Sequence, residues 1–586
     1  MATRSAASPP QPAVLVAAAA VTALVVAAAL VYWKTSSRVV TSSSYGGNAT
    51  PPTSEPARDT AAELVSDVAP AAAAAAAAAK PSADENAAYV SESALGSQAF
   101  KAGSFTAAET HFSRALELIP AEEQAGRMIL LNNRAAVREK LGDLQGLVED
   151  TSQALSVDKT YRRALTRRAR AYEALGQLDR ALEDYLVINH IDGPQQPDEA
   201  VDASIQRLIA LIGKTLADEL WKTRPQGTKL ANLPKPGFCR TFYYTFSHEQ
   251  RVFRSGAPSQ LELQDAQEAL GKLANGEAKG AQHLKLGALA KHALEFARAA
   301  VHFEEAAKLG AKPVRAQALE ELGTLYLLAG DAKSARESLG ASLALAEAAP
   351  ALIKLAGMAI EDGDVARGKE LLARAETAAA GSAEQRGDVC FHRSQMHLVE
   401  LDLDGARTAL EAALALVPDF GLAHMQLGVV LFRMERVDDA LAELQRACEL
   451  VPELPEVHNY YGEVLMTAQR LAEADRKYAD AIAADPACAL PLLNRGVMLM
   501  NAAPGGQAEL ASAGALFDQA VRIDPTCELA YAHRASYFFH LGDFDSAMRE
   551  YSVAVQHAKT KMDAAEYLGL KAFCQARANA ARALGV

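Results

Sequence analysis

The chain has 586 residues and a formal net charge of −13, which makes it too long for one hydrophobic core and too acidic overall for a general nucleic-acid binder. Half of it is hydrophobic and only 6% is aromatic; Ala and Leu dominate without alternating β-branched runs, so an all-α protein is expected. The six cysteines (Cys239, Cys390, Cys448, Cys488, Cys527 and Cys574) are scattered without a CxxC pair, so neither a zinc site nor a disulfide framework is indicated and a reducing compartment is the simpler assumption.

Residues 1–12 form a short tail. Ala13 to Trp33 are then 21 uncharged, mostly Ala/Val/Leu residues, long enough to span a bilayer as a transmembrane helix. Tyr32 and Trp33 sit at one edge, where amphipathic rings favour the membrane interface, and Lys34 and Arg38 follow. A cleaved signal peptide is the rival reading, but the span exceeds the usual apolar region of such peptides. Asn48-Ala49-Thr50 is a glycosylation sequon weakened by Pro51; it stays bare if the chain faces the cytosol. Residues 34–83 are rich in Ser, Thr, Pro and Ala, include the alanine run Ala71 to Ala79, and read as a disordered stalk.

From about residue 89 one pattern recurs. A small residue is followed 12 positions later by another, then by an aromatic or Leu, then by Ala, and often by Pro. Gly96, Ala108, Phe112, Ala115 and Pro120 are the first instance. Gly428, Ala440, Leu444, Ala447 and Pro452 repeat it, as do Gly462, Ala474, Tyr478, Ala481 and Pro486. This 34-residue register is the tetratricopeptide pattern: two antiparallel helices per unit, stacked into a superhelix with a concave groove. About eleven repeats are expected, three in an 84–220 domain closed by a helix over Glu199 to Leu220, and eight in a 280–586 domain ending in a capping helix. Between them, 221–279 is a connector whose stretch 222–258 reads as a loop with an aromatic cluster: Phe238, Phe242, Tyr243, Tyr244 and Phe246.

Local charge departs from the acidic mean. Arg127 to Arg170 carry ten Lys/Arg against five Asp/Glu. Arg163 and Arg167 are one helical turn apart on one face, and Asn133 holds the position of Arg167 one repeat earlier. An amide and two guanidinium groups converging on a groove suit a carboxylate, which Arg binds with a planar fork; a solvated basic face is the plainer alternative. Other chemistry is missing. Gly213-Lys214-Thr215 has the ending of a phosphate loop, but the motif needs Gly where Leu208 stands, and the triplet falls in a predicted helix. His392 and His397 are five apart, not the four a helical metal pair wants. No catalytic, cofactor or metal site is assigned.

Asn132-Asn133-Arg134-Ala135-Ala136, Arg163-Ala164-Leu165-Thr166-Arg167-Arg168-Ala169 and Tyr172-Glu173-Ala174-Leu175-Gly176 resemble chaperone-binding tetratricopeptide clamps. The order of tail, anchor, stalk, three-repeat clamp and eight-repeat array resembles the 70-kDa import receptors of the mitochondrial outer membrane. Leu454-Pro455-Glu456-Val457 and Tyr460-Tyr461-Gly462-Glu463-Val464-Leu465 are similar to that family's later repeats, as is Phe391-His392-Arg393-Ser394-Gln395-Met396. The resemblance covers residues 13–586 and implies a non-enzymatic receptor anchored in that membrane, with the bulk of the chain in the cytosol. The clamp would hold the acidic C-terminal tails of cytosolic 70- and 90-kDa heat-shock chaperones. The second array would hold preproteins, carriers with internal signals among them, for transfer to other translocase subunits. The family's clamp positions fall on Asn133, Arg163 and Arg167, whereas Ser93 and Ser97 stand where it has Lys and Asn. A membrane-anchored cochaperone that only tethers chaperones is the alternative; eight repeats beyond the clamp exceed what a tether needs.

Overall fold

A computed structural model describes residues 83–193, 198–223, 236–502, 506–558 and 560–585. The proposed anchor and stalk lie outside the described residues. Among the described residues there are 27 helices, and none is long and apolar enough to cross a membrane.

The helices pair as the register predicts. Ala83–Lys101 packs on Phe105–Leu118, Gln124–Leu141 on Leu144–Val157, and Arg162–Ala174 on Leu178–Asp192. Pairing resumes with Glu277–His292 on Phe296–Leu309 and continues through Pro455–Thr467 on Leu471–Ala484 to Leu490–Ala502 on Gln507–Ile523. The small position works by leaving room. A Cβ on Gly287 would lie 2.5 Å from the Phe303 ring, and one on Gly462 would lie 2.7 Å from the Tyr478 ring. Phe303 and Tyr478 are fully buried, flanked by buried Ala299 and Ala306, and by Ala474 and Ala481. The aromatic therefore fills the space that the missing side chain opens, and the chain is an all-helical tetratricopeptide array.

The turn inside each repeat needs a left-handed residue. Gly142, Gly176, Gly330, Gly363 and Gly542 supply it in some repeats, but Leu294, Leu401, Glu435 and Gln469 adopt φ of 61–62° in others. A side chain there costs about 1–2 kcal/mol, offset in part by the greater freedom glycine has when unfolded. Leu401 is 78% exposed, so its side chain contributes little packing. Leu401→Gly is expected to raise stability by about 1 kcal/mol, seen as a higher urea midpoint.

The contacts divide the chain into two units. One comprises 83–222 together with 535–585, and the other 223–534. The repeat register alone had placed the last helices with the 280–586 array. In the structure Lys561–Leu584 packs instead on Leu178–Asp192, where Ala576 and Ala580 join the core of Leu182, Tyr185 and Leu186. It also crosses Glu199–Thr223 at close range: a Cβ on Gly213 would lie 2.0 Å from the Ala565 carbonyl oxygen. The 222–258 stretch is not a loop either, since Pro236–Tyr243 and Ser247–Arg254 are helices.

Candidate functional site

In the first unit, Arg162–Ala174 brings Arg163 and Arg167 to one face, with Arg163 exposed and Arg167 half-buried. Arg167 is held by its neighbours. Its Nη1 donates to Asn132 Oδ1 at 2.8 Å and its Nε to Glu139 Oε2 at 3.1 Å. The amide engaged is thus Asn132, 3% exposed. Asn133, one residue on and so about 100° round the helix, is half-buried and has no side-chain hydrogen bond among the described residues. Asn132 and Glu139 are seven residues apart, two turns along one face, so one guanidinium spans both. Tyr161 completes the group: burial raises its hydroxyl's pKa, and Arg167 and a hydrogen bond with Asn132 counter this in part. In Ala83–Lys101, Ser93 is 7% exposed and its carbonyl accepts from Ser97 Oγ at 3.0 Å. The Ser97 hydroxyl is therefore turned back onto its own helix.

Much of the basic island is structural. Arg134 forks onto Asp150, Nε to Oδ2 at 2.9 Å and Nη2 to Oδ1 at 2.7 Å. Arg168 forks onto Asp184 with the same two distances, 34 residues later in each partner. Both aspartates are buried; burial pushes the Asp184 carboxyl above its ordinary range, although Arg168 opposes this. Arg138 reaches Glu109 and Asp150, and Arg162 reaches Asp192 and Asp198. Adjacent Arg167 and Arg168 therefore have different work: one faces Asn132 and Glu139, the other ties its repeat's two helices together.

The second unit holds a feature that periodicity did not reveal. Residues 236–254 run along the first helices of six successive repeats. Lys291, 2% exposed, donates to Glu249 at 2.7 Å and to Glu321 at 2.6 Å, with its ammonium 4.6 Å from the centre of the Tyr243 ring. Tyr243 stacks on Phe296 and donates to Glu321 at 3.2 Å. Phe246 takes Lys354 on its face at 5.0 Å and meets His392. The Ser247 N–H donates to Asp388 at 2.8 Å, a carboxyl that burial pushes up to about 7. Gln250 donates to the Asp419 carbonyl and accepts from the Gly421 N–H. Tyr244 donates to Glu453, and Thr241 to Glu456. Burying Phe242, Tyr243, Tyr244 and Phe246 is worth roughly 6–12 kcal/mol together. A micromolar ligand brings about 8 kcal/mol, so expelling this segment would consume a ligand's binding energy. It belongs to the core, and the aromatic cluster in the sequence was its signal.

None of the six cysteines forms a disulfide. Burial pushes the Cys239 and Cys574 thiols up to about 12, which makes them poor nucleophiles. No group of three His, Cys, Asp or Glu suited to a metal ion occurs among the described residues.

The tetratricopeptide-repeat family model matches residues 397–455. The chain is similar to the mitochondrial import receptor subunit TOM70 of rat, 25% identical over 507 residues that cover 84% of this chain and 79% of that protein. The human TOM70 is 24% identical over the same shares. Human mitochondrial import receptor subunit TOM34 is 32% identical over 134 residues, 22% of this chain and 42% of that protein. The crystal structure of yeast Tom70 aligns at 21% identity with a TM-score of 0.46, covering 85% of this chain and 96% of that one.

Proposed function

We propose, from a likeness to the TOM70 receptors that runs through both units, that this chain is a mitochondrial import receptor of the outer membrane. The length of that likeness carries the proposal: a chaperone tether would need only the three-repeat part, whereas the match extends over 84% of the chain. Residues 13–33 would anchor it with the repeats in the cytosol. Arg163, Arg167 and Asn133, with the serines Ser93 and Ser97, would receive the C-terminal carboxylates of 70- and 90-kDa heat-shock chaperones. The array over 280–534 would hold the preprotein and pass it to other translocase subunits.

Two features support this division of work. Arg167 is a half-buried guanidinium bonded through Nε and Nη1 to the neighbouring repeat, a cation that an anionic chain end could engage. The second unit has its inner layer stiffened by residues 236–254, so a preprotein would take up the inner surface that this segment leaves. The experiment is import of a carrier precursor into mitochondria whose surface receptors have been removed by protease. Added full-length chain should restore import, and import should fall again when a peptide ending in Glu-Glu-Val-Asp is in excess. Restoration that ignores the peptide contradicts the clamp, and absence of restoration contradicts the receptor role.

A further inference from the structure

Arg167 is the cation at the heart of the proposed clamp, and the folded chain gives it an anionic partner of its own. Glu139 Oε2 sits 3.1 Å from Arg167 Nε. The carboxylate is 34% exposed and the guanidinium 16% exposed. Asn132 Oδ1 accepts from Nη1 at 2.8 Å. Nη2 has no partner among the described residues. Nε and Nη2 lie on one edge of the guanidinium plane, the edge that a carboxylate grips with two parallel hydrogen bonds. Glu139 uses that edge with a single bond.

We infer that Glu139 is a built-in competitor for the clamp: it occupies Arg167 when no ligand is bound, and an incoming carboxylate must displace it. This rests on the clamp reading above. The exchange is favourable in geometry, because a chain-terminal carboxylate can make the two-bonded fork where Glu139 makes one. Release is cheap, because Glu139 has water to turn into. A cost remains, since the displaced carboxylate stays close to the one that replaced it. A weak or singly charged acid gains too little to open the pair, whereas a terminal Asp offers two carboxylates. Glu139 thereby sets the threshold of affinity and favours doubly acidic chain ends. Ser93 and Ser97, which bring no charge, leave that threshold uncompensated.

The test is calorimetric titration of the full-length chain with a peptide ending in Glu-Glu-Val-Asp, beside its C-terminal amide. Glu139→Gln keeps an oxygen for Arg167 Nε and removes only the charge. It should bind roughly three- to fivefold tighter than the parent, the upper scale of one half-exposed ion pair. Glu149→Gln removes an exposed acid on the following helix and should stay within about twofold, which isolates the local effect from the general field. In an Arg167→Ala background the gain from Glu139→Gln should vanish. Equal binding by the parent and Glu139→Gln overturns the competitor while leaving the clamp intact, as does an equal gain from Glu149→Gln or one that survives without Arg167. A parent that does not distinguish the acid from the amide overturns the clamp, and the competitor with it.

Discussion

Lys291→Ala lowers the stability of the second unit by about 3–5 kcal/mol, the loss expected when one partner of a buried ion pair is removed. The ammonium is 2% exposed and serves two carboxylates, Glu249 at 2.7 Å and Glu321 at 2.6 Å. Burial alone would discharge the lysine, but the attraction of Glu321 and Glu249 outweighs it and holds the pKa above its ordinary value. Without Lys291, the buried Glu321 and the half-buried Glu249 lose the cation they share. Glu249 belongs to residues 236–254 and Glu321 to a repeat helix, so the change acts on the seam between segment and array. The result is checked by urea unfolding followed by tryptophan-independent circular dichroism. Replacing all three residues together, Lys291→Met with Glu249→Gln and Glu321→Gln, should cost less than Lys291→Ala alone, because no charge is then stranded. If the single change is as mild as a surface substitution, the segment is not held as the geometry indicates.

Gly213→Val is expected to detach the last helix from the first unit. Its Cβ would stand 2.0 Å from the Ala565 carbonyl oxygen, and Gly569 answers from the other helix, where a Cβ would lie 2.5 Å from the Ile209 carbonyl. Backbone faces backbone at this crossing, so no side chain can rotate away. Overpacking usually costs about 1–3 kcal/mol and more where neighbours cannot yield; here the helices must part, and Ala576 and Ala580 leave the core they share with Leu182 and Tyr185. The bond from Asn579 to Glu183 and the one from Lys159 to the Ala583 carbonyl go with them. Hydrogen exchange should show Lys561–Leu584 losing protection while Leu471–Ala484 in the other unit keeps it. Protection unchanged in both would mean that the helices do not meet at these glycines.

The repeat architecture was legible because its packing is local. Gly96 meets Phe112 and Gly462 meets Tyr478 sixteen residues on, so each contact prints itself into the sequence at a fixed spacing. Contacts without a period were not legible. Tyr243 reaches Glu321 across 78 residues and Tyr244 reaches Glu453 across 209; only a cluster of aromatics in a supposed loop hinted that the connector is interior. Gly213 was visible as part of a false phosphate loop, yet its use is a helix crossing whose partner stands over 350 positions away at Gly569. At the candidate site the sequence singled out Arg167 and Asn133, and the structure sets Arg167 against Asn132 and Glu139. The 34-residue register aligns Asn133 with Arg167, but a residue's face on a helix changes by about 100° per position, so equivalence in the repeat does not say which of the adjacent asparagines the guanidinium reaches. The Arg–Asp forks could have been found in advance: Arg134 with Asp150 and Arg168 with Asp184 share a 16-residue spacing.

The central claim is that the first unit is a receptor for an acidic chain end. Its most direct test is titration of the full-length chain and of Arg167→Ala with the peptide ending in Glu-Glu-Val-Asp and with its C-terminal amide. The full chain is required, because residues 535–585 complete the unit that carries Arg167. Removing the guanidinium takes away a charged hydrogen-bond partner worth about 1.5–3 kcal/mol, so Arg167→Ala should bind the free acid roughly ten- to a hundredfold more weakly. The parent should bind the amide about as weakly as the variant binds the acid. Equal affinity of parent and variant for the acid, or of the parent for acid and amide, would contradict the account and leave Arg167 a structural tie to Asn132 and Glu139.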